Sequence, residues 1–140
     1  MSNRNAAACA AIVCGRGKVL ARRNTTEPNS GMWEFPGGML EPGEDSLAAC
    51  RRTIADQLGC RLSTAWMLDT IECDACDRAL AIDCFVCTPV PGAEPTPEGS
   101  DTVRWLGLNE LMDLEWRPAS RKIVGLVGTY WDQLMLSEHL

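Results

Sequence analysis

The stretch from Gly37 to Cys60, GGMLEPGEDSLAACRRTIADQLGC, constrains this chain more than any other. Paired glycines, an acidic loop containing Pro42 and Gly43, and an unbroken helical pattern follow one another in that order. Leu47, Cys50, Ile54 and Leu58 recur at helical spacing, which predicts a helix over 46–58 with a single apolar stripe. Asp45 or Ser46 suits its start as a cap, and Gly59 suits its end. On a helix of about 3.6 residues per turn, Arg52, Thr53 and Asp56 are expected to face away from that stripe, with Gln57 on the flank. Glu44 lies just before the first turn. A polar helix surface beside a glycine turn suits a hard cation, which takes oxygen ligands and completes its shell with water and phosphate.

The flanking segments read as strands. AAACAAIVCGRGKVLARR predicts two short strands around a Gly-Arg-Gly turn, followed by a loop, NTTEPNSG. In MWEFPGG the proline and two glycines predict a second turn without regular structure. STAWMLDTIEC and ALAIDCFVCTPV predict a hairpin about the polar turn DACDR. The acidic, proline-rich segment PVPGAEPTPEGSD is a surface excursion or a functional lid. TVRWLGL is a last short strand and NELMDL a helical turn. Ala119, Ile123, Leu126, Val127, Tyr130 and Leu134 mark one closing amphipathic helix, weakened by Gly125 and Gly128. Strands, helix, strands, helix in that order predict an α/β fold, a mixed sheet with helices packed on it, in one domain over 1–140.

Charge narrows the partners. A net charge of −6 disfavours a nucleic-acid polymer, whose backbone needs clustered Lys and Arg. A phosphate ligand remains accessible to an acidic chain through a bridging divalent metal. No apolar run reaches the length of a membrane span, and the N-terminal AAACAAIVCG reads as a buried first strand rather than a secretory leader. The eight cysteines sit mostly in apolar, strand-like contexts, which favours free buried thiols in a cytoplasmic protein over a disulfide framework.

The spacing resembles the Nudix box. Gly38, Glu44 after five residues, Arg52 after seven more, Ile54, an acid at Asp56 and then Gly59 fall at its positions. GMWEFPGG ahead of it, VRWLGLNEL and the RPA before the last helix are similar to the MutT-like subgroup. The resemblance covers nearly the whole chain and implies an α/β/α sandwich around a mixed sheet. It implies Mg²⁺-dependent (or Mn²⁺-dependent) hydrolysis of a nucleoside diphosphate linked to another group. Glu44, Arg52 and Asp56 are then the catalytic set, with Arg52 orienting the acids. Gly38 by its backbone, Glu44, Asp56 and a loop acid, Glu98 with Asp101 as the other candidate, are the implied metal ligands. Arg23, Phe35 and Ser120 are the implied substrate contacts. The box departs from its pattern at two places: where the family has acids, this chain has Thr53 and Gln57, which offer only neutral oxygens, and the surviving acid is shortened to Asp56.

CDAC and CFVC carry zinc-like spacing. In a hairpin, however, Cys73 falls opposite Leu80, and Cys84 lies roughly 13 Å further along at about 3.3 Å per residue. Zn–S bonds of about 2.3 Å cannot span that. Cys84 and Cys87 would also face opposite ways. The one histidine, His139, rules against a His-dependent triad. The expected partner is a small-molecule nucleotide, with no membrane, and a homodimer is left open. Against the hydrolase stands a reading from another class, a Nudix-derived module that binds a nucleotide with little or no cleavage; the Thr53 and Gln57 pair favours it.

Overall fold

The computed structural model describes residues 6–23, 31–75, 78–92 and 103–137. Ala6–Gly15 (β1) and Lys18–Arg23 (β2) form a hairpin turned by Arg16 and Gly17, both at positive φ. Trp33–Glu34 (β3) and Gly37–Met39 (β4) lead into the helix Ser46–Leu58 (α1). Leu62–Ala75 (β5) and Arg78–Pro89 (β6) make the long hairpin. Val103–Leu106 (β7), a 3-10 turn over Leu108–Asp113, and the helices Pro118–Thr129 (α2) and Trp131–Ser137 (α3) complete the chain.

The sheet runs β3-β2-β1-β6-β5, with β4 paired to β1 and β7 to β2. It is mixed because β1 runs parallel to β6 from Ala6↔Leu80 to Val13↔Cys87, while the other pairings are antiparallel. Alternation along β1 divides the core. Ala8, Ala10, Ile12 and Cys14 pack on the α2 side, and Cys9, Ala11 and Val13 on the α1 side. Small side chains at these positions leave room for Ala49, Cys50, Ile54 and Leu58 of α1 to be fully buried against them. Three thiols gather there: Cys50 Sγ lies 3.7 Å from that of Cys87, and Cys9 also touches Cys50. Contact with Cys50 and then burial push the Cys9 thiol well above the ordinary range, and contact with Cys87 together with burial does the same to Cys50, so both stay protonated.

Several sequence expectations are revised. α1 spans the expected residues, with Asp45 accepting from the Ala48 N–H and Gly59 at φ 60° closing the end. Its inner face is different, however: Leu47 is 38% exposed and Thr53 only 5%. At about 100° per residue Thr53 sits some 60° from Cys50 and Gln57 some 20°, so both belong to the arc turned toward the sheet. Arg52 and Asp56, at about 160° and 120°, are the residues that face outward. Regular structure also reaches into the glycine turn, because Gly37–Met39 pairs with Ala8–Ala10. Only glycine permits this at 37: its φ is 146°, and a Cβ there would run into the Cys9 carbonyl oxygen. The closing helix is two helices, broken at Tyr130, whose N–H still reaches Leu126 O. The hairpin register is as expected, with Cys73 opposite Leu80, and Cys84 and Cys87 belong to the clusters on opposite faces.

Candidate functional site

β4 and the outward face of α1 form one surface. Glu44 and Arg52 make a two-pronged ion pair across it: Arg52 Nε to Glu44 Oε2 at 2.8 Å and Arg52 Nη2 to Glu44 Oε1 at 2.8 Å. Arg52 Nη2 also donates to Met39 O at 3.3 Å, and Glu44 Oε1 accepts from the Glu41 N–H at 2.9 Å. The guanidinium first, and that backbone N–H second, hold the Glu44 carboxyl down at about 2. Glu44 in turn raises the affinity of Arg52 for its proton. Glu44 is therefore ionised throughout the neutral range, with Arg52 fixed as its partner. Asp56 is exposed, and its charge adds to the field on Arg52.

The two departures from the box are occupied differently. Thr53 is packed inward: its hydroxyl donates to Cys50 O at 3.1 Å and lies 3.9 Å from Cys9 Sγ. Its Cγ2 is 3.6 Å from where a Cβ on Gly38 would stand. Gln57 grips the turn with both ends of its amide. Oε1 accepts from the Gly37 N–H at 3.2 Å, and Nε2 donates to Gly37 O at 2.9 Å. The peptide groups that face the helix are thus those of Gly37 and Met39, while Gly38 is the ladder partner of Cys9.

Among the described residues, no three of Asp, Glu, His and Cys come together as a metal cluster. The donors around the pair are the exposed Asp56 and Glu41 carboxylates, the remaining lone pairs of Glu44, and the second lone pairs of the Gly37 and Met39 carbonyls, which already accept from Gln57 and Arg52. That set, among the described residues, fits a hard cation completed by phosphate and water oxygens. The proposed loop ligands Glu98 and Asp101 lie outside the described residues, as do Cys76 and His139.

The expected substrate contacts divide. Arg23 is exposed at the end of β2, opposite Trp33 in register. Phe35 and Ser120 are both buried and bonded to each other, the Phe35 N–H donating to Ser120 Oγ at 3.3 Å. Phe35 also stacks on Trp116 at 4.9 Å. Phe35 belongs to the core cluster on the α2 side. A groove of about 710 Å³ opens elsewhere, between the 3-10 turn and α2, against Leu111, Met112, Trp116 and Val124. No residue of the box lines it.

A buried charge was missed by sequence reasoning. Glu34, 9% exposed, accepts from Arg22 Nη1 at 2.7 Å and from Arg117 Nη1 at 2.6 Å. Around it, the Trp33 N–H donates to Glu115 O and Trp33 O accepts from the Arg117 N–H. β3 is thereby sewn to the segment that opens α2. The available signal was the alternation itself: Glu34 between Trp33 and Phe35 must point to the opposite sheet face from both aromatics.

Comparison with known proteins settles the ancestry. The model of the NUDIX domain matches residues 3–126. The chain belongs to the Nudix family. Within it the chain is MutT-like. It is 30% identical over 111 residues, 79% of either chain, to a Mycobacterium tuberculosis protein provisionally named 8-oxo-dGTP diphosphatase 2. It is 31% identical over 81 residues to the 8-oxo-dGTP diphosphatase of Proteus vulgaris, covering 56% of this chain and 72% of that one. The crystal structure of a MutT Nudix hydrolase from Burkholderia pseudomallei superposes with a TM-score of 0.77 at 21% identity, covering 89% of this chain and 98% of that one. The mixed sheet with helices on it is therefore the Nudix fold. Among the described residues, no helix is long and apolar enough to cross a membrane.

Proposed function

We propose that this Nudix protein is a Mg²⁺- or Mn²⁺-dependent pyrophosphohydrolase of a nucleoside triphosphate or another nucleoside diphosphate derivative. The observation that carries the reading is the Glu44–Arg52 pair, held in two-pronged geometry across the glycine turn beside the exposed Asp56. Asp56, Glu44 and a backbone carbonyl of the Gly38 region are the groups that would hold the ion, with Glu98 or Asp101 as the loop ligand. When bound, a hard divalent ion supplies positive charge to the phosphate oxygens and lowers the pKa of water. Arg52 keeps Glu44 ionised and aimed. Arg23, exposed at the end of β2, is the side chain this reading assigns to a substrate phosphate. The relatives' action on 8-oxo-dGTP supports the nucleotide class. The burial of Ser120 argues against that residue reading a base edge. Seven free cysteines among the described residues fit a cytoplasmic, reducing setting.

The amide at Gln57 and the buried Thr53 favour a second reading, a module that binds a nucleotide without cleaving it. A hydrolysis screen over nucleoside triphosphates, sugar nucleotides and dinucleoside polyphosphates with Mg²⁺ or Mn²⁺ separates the two. The hydrolase reading expects release of a nucleoside monophosphate from at least one substrate. It also expects Asp56→Ala to lower Mn²⁺ affinity by at least tenfold in calorimetry with the fold intact. Nucleotide binding without turnover of any substrate would replace it with the binding module.

A further inference from the structure

Gln57 lies where the helix meets the glycine turn, and its amide is matched to the two backbone groups of one residue, the N–H and C=O of Gly37, which belong to successive peptides. Its carbonyl oxygen takes the Gly37 N–H, and its NH₂ covers the Gly37 carbonyl. Only a side chain with one donor and one acceptor in the same plane can do both. A carboxylate at 57 would be acceptor-only. One oxygen could still take the N–H, but the other would be pressed against the Gly37 carbonyl oxygen. That repulsion would be relieved only by a cation placed between the two oxygens. The opposite orientation of the Gln57 amide fails likewise, setting NH₂ against N–H and C=O against C=O.

Gly37 is the residue at which such control matters. It stands at φ 146° with no room for a Cβ against the Cys9 carbonyl, so only glycine fits there, and a glycine's backbone freedom has to be restrained by its contacts. It begins β4, whose next peptides carry the Gly38–Cys9 pairing and the Met39 carbonyl that Arg52 holds. Fixing the Gly37 backbone therefore fixes the strand that presents its carbonyls to the site.

We propose that Gln57 is a positioning residue that replaces a bridging cation: it ties the Gly37 backbone to α1, so that the glycine turn is set without divalent metal. The turn is then ready for a phosphate-bearing ligand before any ion arrives, and an ion is needed only beside Asp56. The bearing of this on turnover rests on the hydrolase reading above, whereas the clamp exists whether or not the chain cleaves anything.

The test is amide exchange at Gly37, followed by NMR on the ligand-free protein in EDTA and then in millimolar Mg²⁺. In the unmodified protein, protection should be the same within about twofold in both. Gln57→Ala should lose about tenfold of that protection in both conditions, the scale of one hydrogen bond to a backbone N–H. Gln57→Glu should lose it in EDTA and regain most of it with Mg²⁺, a cation-dependent rescue that mere filling of space would not produce. Metal-dependent protection in the unmodified protein would overturn the proposal, as would unchanged protection in Gln57→Ala. So would a Gln57→Glu protein indifferent to the ion. No substrate enters the experiment, so its failure is distinct from a failure to find hydrolysis.

Discussion

Putting the missing acid back at position 53 should damage the fold rather than repair the site. Thr53 is 5% exposed, with its methyl against Gly38 and its hydroxyl bonded to Cys50 O. Thr53→Glu adds two heavy atoms where the gap to β4 is already filled, an overpacking cost of about 1–3 kcal/mol. It also brings a carboxylate among Cys9, Cys50 and Ile54 with no cation beside it. Even partly relaxed, that burial costs about 2–3 kcal/mol. The loss of the hydroxyl bond is small, because Cys50 O can still accept within the helix. The sum is about 4 kcal/mol, which for a domain of this size lowers Tm by roughly 12–16 °C. Thr53→Val keeps the shape and should stay within about 1 kcal/mol of the unmodified protein. Thermal melts by circular dichroism in EDTA compare the three directly. A Thr53→Glu protein melting within about 3 °C of the original would mean that residue 53 opens to solvent. The inward rotation of Thr53 would then be refuted.

Two further perturbations test the charges. Glu34→Ala leaves Arg22 and Arg117 facing each other without their shared carboxylate. Because Arg117 is half in solvent, the cost should be about 2–3 kcal/mol, read as a Tm lower by roughly 8 °C, with Glu34→Gln losing less. Glu44 has a carboxyl pKa depressed from 4.5 to about 2, chiefly by Arg52. A depressed acid contributes its stability fully above the unfolded pKa and loses it as pH falls through the folded one, so this contribution should fade between about 4.5 and about 2. In Arg52→Ala the Glu44 titration, followed by NMR, should move back up toward 4.5, and an unmoved titration would remove Arg52 as the cause.

Local chemistry made α1 legible. An Asx cap, a terminal glycine and apolar residues four apart act within a few positions, and the helix ends where they place it. The hairpin register was legible for the same reason, since a short polar turn dictates which residues meet. The facing of Thr53 and Gln57 was misread because Leu47 was counted into the stripe. A leucine in the first turn can extend past the packed surface, and including it tilts the inferred face away from the true one. Gly37–Met39 as a strand was hidden because its pairing depends on close approach to β1, a tertiary condition that composition cannot report. Glu34 was overlooked because its partner Arg117 lies 83 residues on, and no periodicity links the two. That Phe35 and Ser120 meet each other was equally hidden, because they lie 85 residues apart.

The stitching of β3 to residues 115–120 also governs the order in which the molecule can be made. α1 needs only its own neighbours to begin to form, but β1 waits for its parallel partner β6, which arrives some seventy residues later. Glu34 and Phe35 wait longer still, until Arg117 and Ser120 have left the ribosome. Until then a glutamate destined for burial and an aromatic ring lie open on the nascent chain beside an unfinished glycine turn. The strand that leads into the glycine turn is thus among the last segments to gain its partners, although the helix after the turn can start early. A truncation or a translational pause before residue 117 would leave β3 without its partners, exposed to proteases and chaperones in the middle of the chain rather than at its end.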